Sequence, residues 1–99
     1  MKLRIVFSAQ ADADRDAIWD HTVERWSVDQ AEAYLLGIDR VLTLLAEQPT
    51  IARERREFDP PVRVHPYKSH LLVFRTSDAT LDVIRIVHAR SNWTALFPQ

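Results

Sequence analysis

The side chains with most chemistry to offer lie in the second half of the chain: Arg63, Lys68, Arg75, Arg85, His88 and Arg90. Cleaving a phosphodiester without a metal needs a base for the attacking hydroxyl, an acid for the leaving oxygen and cations for the charge that builds on phosphorus. Cations are plentiful here. An acid–base pair is not, because only His88, with His65 second to it, is placed to titrate usefully. Such cleavage by this set would rely on Arg63, Arg75, Arg85 and His88. The other chemistry open to it is binding: Arg63, His65, Lys68, Leu71, Val73, Arg75, Val83, Arg85, Arg90 and Trp93 together suit an acidic or nucleoprotein partner held by charge and burial.

Other chemistries are closed by residue type. The chain has no cysteine, so it has no disulfide framework, thiolate zinc site or catalytic thiol. His65, His70 and His88 lack a carboxylate or thiolate at ligand spacing, and neither a metal nor a cofactor is expected. Arg75 and Arg85 also have a structural use, as ion-pair partners for Asp82 or Glu57, and His88 one as a hydrogen-bonded strand end.

The segments that carry these residues alternate in side-chain character. VRVHPY, HLLVFRT and LDVIRIVHAR, between Val62 and Arg90, read as three successive strands because period two puts alternate side chains on opposite faces. Sorted by parity, Val62, Val64, Leu72, Phe74, Ile84 and Ile86 form an apolar face that needs a layer of helices. The opposite face then mixes Arg63, His65, Arg75 and Arg85 with Leu71, Val73, Leu81, Val83 and Val87, the makings of a binding surface. Residues 2–7 alternate as well and predict an outer strand.

Two helices separate that strand from the rest. Ser8 is placed to cap the first, from Ala9 to about Trp26, with Ala11, Ile18, Thr22 and Trp26 near one face and Arg15 where an apolar residue is expected. Ser27 and Gln30 suggest a capping box for the second, which runs to Glu47 with Ala31, Tyr34, Leu35, Ile38, Leu42 and Leu45 as its core stripe, widened by Val41 and Leu44. Gly37, the only glycine, predicts close packing in mid-helix. Pro49 ends the helix. Residues 50–61 read as a charged connector, residues 76–80 as a hairpin turn, and Trp93, Leu96 and Phe97 as an apolar tail over the end of the sheet.

Ninety-nine residues predict one domain, 1–99. With no apolar run approaching a membrane span and no signal-peptide pattern, the expected location is the cytoplasm, with no membrane partner. The net charge of −1 conceals an asymmetry: residues 1–50 hold five Lys or Arg against nine Asp or Glu, and residues 51–99 eight against five, giving −4 and +3. The basic half fits an anionic partner, or the two halves attract each other.

Over nearly the whole chain the sequence resembles the RelE/ParE superfamily of type II toxins, in particular its ParE-like branch. The resemblance rests on SxxA at Ser8 and Ala11, IWDHTVERW from Ile18, QAEAYL from Gln30, LAEQP from Leu45, VRVHPYKSHLLVFR from Val62 and VIRIVHARSNW from Val83. Arg15, Ser27 and Ala52 depart from residues usual there. The resemblance implies an α+β fold of order β-α-α-β-β-β, a helical hairpin on one face of a small, mainly antiparallel sheet. It also implies a toxin neutralised by a ParD-like antitoxin that folds on binding, with possible higher-order assembly of the two. ParE-like members act on DNA gyrase, whereas RelE-like members cleave messenger RNA on the ribosome. Trp93 stands near where RelE-like enzymes often carry a tyrosine and cannot move its proton, which favours the gyrase reading. A non-toxic protein-binding relic of the fold is the third reading.

Overall fold

The computed structural model describes residues 2–98. Strand β1 (Arg4–Phe7) leads into helix α1 (Ala9–Arg25), helix α2 (Val28–Glu47), a 3-10 turn at Pro49–Ile51, and strands β2 (Arg53–Arg55), β3 (Val62–Tyr67), β4 (His70–Thr76) and β5 (Thr80–His88). A second 3-10 turn, Trp93–Leu96, follows. The sheet order is β1-β5-β4-β3-β2, antiparallel except where β1 runs parallel to β5. Short strand β2 lies inside the expected connector, where its RER sequence gives no apolar alternation to read.

Both helix starts follow their caps. The Ser8 hydroxyl accepts from the Ala11 amide at 3.0 Å and donates to the Ile84 carbonyl at 2.7 Å, so one side chain both starts α1 and ties it to β5. The Ser27 hydroxyl accepts from the Gln30 amide at 3.1 Å. On α2, Ala31, Ile38, Leu42, Leu45 and Ala46 are fully buried, at the helical spacing that turns one stripe inward. Leu44 is exposed and does not widen the stripe. On α1 only Ala11 and Ile18 are buried, and Trp26, expected on the packed face, is 69% exposed. Arg15 stands beside the Phe7 ring and pairs with Asp39 of α2 at 2.7 Å, joining the helices where an apolar side chain was expected.

The facial assignment of the strands needs correction. The helix-facing core contains Leu72, Phe74, Leu81, Val83 and Ile86, whereas Val62, Val73 and Val87, with Val64, Leu71 and Ile84 packed beside them, form a second core on the far face. Two features shift the parity. The β3–β4 turn has two residues, so Tyr67 pairs with His70 and Val64 with Val73, an even position opposite an odd one. Partners across a ladder share a face. In β5 the register slips, Phe74 pairing with Val83 but Val73 with Arg85, and the extra residue Ile84 reverses the alternation beyond it.

The far-face core is closed by side chains from outside the strands. Phe58 from the β2–β3 loop packs against Trp93 and Phe97, with ring centroids 5.7 and 5.8 Å away. The tail therefore docks, but over the sheet's far face, and Leu96 stays 53% exposed. No helix among the described residues is long and apolar enough to cross a membrane.

Candidate functional site

The expected site residues separate once the strands are placed. Arg63 on β3 donates to the Ala52 carbonyl at 2.8 Å. Arg75 on β4 donates to the carbonyls of Pro61 and Pro60 at 3.2 and 3.1 Å, not to Asp82, and so anchors the connector. Arg85 grips Asp14 of α1 through two hydrogen bonds of 2.8 and 2.9 Å. Asp14 also accepts from the Ile86 amide at 2.8 Å, so α1 serves the edge of β5 where β1 has ended. The Asp14 carboxylate holds the Arg85 pKa above its ordinary value. These three arginines bind their own fold and do not gather around His88.

The apolar candidates are interior: Val73 and Val83 are fully buried in different cores, Leu71 is half-buried, and Trp93 is 8% exposed beneath the Arg55 guanidinium. His65 is half-buried with a buried Nδ1 that has no hydrogen-bond partner. Glu57 pairs with Arg55 and Glu54 with Arg56, each at 2.7 Å, and these hydrogen bonds lower both carboxylate pKa values.

Lys68, His88 and Arg90 do come together, around a basin shared with Ser69 and Ala89. Lys68 sits in the β3–β4 turn at φ 49°, in the left-handed region, with its ammonium 5.6 Å from the Tyr34 ring centroid and 5.5 Å from that of Tyr67. Next to it lies a cleft of about 720 Å³ between the helical hairpin and the ends of β4 and β5. There the Tyr34 hydroxyl and His70 Nδ1 share a 2.6 Å hydrogen bond, and the rings of His70 and His88 meet edge to face at 5.4 Å. Burial, then the neighbouring His88, lowers the His70 pKa; Asp14 acts against this and His21 adds to it. Burial raises the Tyr34 pKa, opposed by a hydrogen bond from the Ser69 backbone.

Tyr34 reads in sequence as one more core residue, and His70 as one of four scattered histidines. The pairing of Tyr67 with His70 and of His70 with His88 brings the turn to the end of β5, and the Tyr34–His70 hydrogen bond adds α2. No group of three or more metal-ligating side chains occurs among the described residues.

Residues 5–93 match the family model described as the ParE toxin of type II toxin–antitoxin systems, parDE. The chain belongs to the ParE toxin family. Toxin ParE1 of Mycobacterium tuberculosis is 40% identical over 91 residues, covering 91% of this chain and 93% of that protein. Toxin ParE1 of Caulobacter vibrioides is 28% identical over 85 residues, covering 86% and 88%. The ParE fold is seen again in a solved structure described as a chromosomal ParDE system from P. aeruginosa: TM-score 0.74, 22% identity, coverage of 88% of this chain and 96% of that one. As a member of this family, the chain is the toxin component of a type II toxin–antitoxin system.

Proposed function

We propose that this ParE toxin acts in the cytoplasm by binding DNA gyrase, without cleaving RNA, and that a ParD-like antitoxin neutralises it. The observation that carries the reading is the dispersal of the arginines: Arg63, Arg75 and Arg85 are held by Ala52, by Pro60 and Pro61, and by Asp14. A scissile phosphate beside His88 would find Lys68 and Arg90 but not this trio, and phosphorane stabilisation needs its donors already aimed. Binding needs only complementary charge and apolar surface. The antitoxin is expected to lay a partly disordered segment over the half-buried Val64, Leu71 and Ile84 and onto the hairpin, where Leu36 and Leu44 are exposed. A co-complex touching neither the sheet nor the helices would remove that expectation.

One observation favours the ribonuclease alternative. His70 and His88, two titratable rings in contact beside Lys68, resemble an acid–base pair more closely than the sequence suggests. The deciding experiment uses antitoxin-free protein in a gyrase supercoiling assay and primer extension on translated messages. Loss of supercoiling, or trapped cleaved DNA complexes, with intact messages is the expected result. Codon-positioned cuts abolished by His88→Gln would establish RNA cleavage instead. Growth unaffected by expression without antitoxin would identify a non-toxic relic.

A further inference from the structure

The cleft beside Lys68 has a chemistry of its own, independent of the gyrase reading. Its volume, about 720 Å³, falls in the range of small-molecule sites. Ile18 and Ile86 supply buried apolar wall, Ala17 and Ala33 leave room, and Trp26 stands 69% exposed at its side. An indole left in water next to a concave apolar surface is the arrangement expected where a flat ring can be received. The polar groups converge from the turn and the end of β5: Lys68, His70 and His88, with Arg90 in the adjoining basin. The carboxylate of Asp14 also lines the cleft, but Arg85 neutralises it. An anion placed near Lys68 therefore meets positive charge without a competing free carboxylate from Asp14.

We infer that this cleft binds a small aromatic anion, with its ring against the apolar wall beside Trp26 and its carboxylate, sulfonate or phosphate at Lys68. A nucleic-acid strand fits less well, because the helical hairpin wall, residues 9–47, holds three Arg against nine Asp or Glu and repels an extended polyanion. A single anionic group can reach Lys68 and stay clear of that surface.

The test is a fluorescence titration of the antitoxin-free full-length chain with anilinonaphthalene sulfonate, alongside its neutral counterpart phenylnaphthylamine. One saturable site is expected, with the anion preferred on the order of tenfold, equivalent to about 1.4 kcal/mol. Lys68→Ala should erase that preference. Ala33→Phe, which projects a ring from an exposed helical position into the cleft, should abolish binding of both dyes, and Leu96→Ala should change neither. Thermal melts establish that each variant is folded, and Ala17→Phe replaces Ala33→Phe if the latter does not melt cooperatively. Equal affinity of the wild-type chain for the two dyes, or undiminished binding by a folded cleft-filling variant, overturns the proposal.

Discussion

Asp14 and Arg85, seventy-one positions apart, form a two-pronged ion pair in which the carboxylate also accepts from the backbone of Ile86. The pair does for the outer half of β5 what β1 does for the inner half: it satisfies an edge. Asp14→Ala leaves a mostly covered guanidinium and a strand amide without their acceptor, and should cost about 1–3 kcal/mol in urea unfolding. A change within experimental error would mean that water replaces the carboxylate without loss.

Gly37 faces the Tyr67 ring so closely that a methyl group at position 37 would overlap the phenol oxygen. Helix propensity alone favours alanine here by about 1 kcal/mol. Gly37→Ala should nevertheless destabilise, by about 1–3 kcal/mol, because the overlap forces Tyr67 from its rotamer and from its edge-to-face contact with Tyr34. Combining it with Tyr67→Leu should recover part of the loss in a double-mutant cycle; strictly additive losses would contradict the contact.

The far-face core depends on three rings contributed from outside the strands. Phe58→Ala should cost about 3–5 kcal/mol, since Phe58 is 2% exposed and touches both Trp93 and Phe97. Deleting residues 92–99 should cost about 2–5 kcal/mol and uncover a few hundred Å² of apolar surface, on the order that a packed aromatic pair buries. Thermal melts that coincide with those of the full chain would refute tail docking.

Stability should fall in mild acid because of His70. Its folded pKa lies below the ordinary histidine value of 6.5, so between those two pKa values the unfolded chain binds more protons. The contribution is complete above pH 6.5 and is lost as pH drops through the folded pKa. His70→Phe should flatten that limb of the curve of stability against pH, followed by chemical denaturation at fixed salt. An unchanged slope would assign the acid sensitivity to other groups.

The arginines that anchor the fold are poor reporters of target binding, since their loss disturbs structure first. Lys68 and Arg90, both exposed, are better ones. On the proposed gyrase reading, Lys68→Ala and Arg90→Ala should each weaken inhibition several-fold, about 0.5–1.5 kcal/mol, with little change in melting temperature. Inhibition that stays at full strength in the double variant would move the gyrase contact away from this end of the sheet.

Local signals alone determined the helices, their caps, the three long strands and the outer strand, because serine caps, the apolar stripe of α2 and period-two runs act within a few residues. The motif order also carried the family. Gly37 announced a close approach, although not that Tyr67 makes it. The faces of the sheet were decided by tertiary structure: a two-residue turn and one slipped residue at Ile84 each reverse a parity that depends on counting by two. The same holds for the arginines. Arg63, Arg75 and Arg85 read as a basic surface because sequence shows charge but not partners, and their partners lie 11 to 71 residues away. The contact of Tyr34 with His70, and of His70 with His88, exists only after α2 has packed onto the sheet and β4 has paired with β5. Long-range packing, which no local pattern encodes, put the titratable groups together.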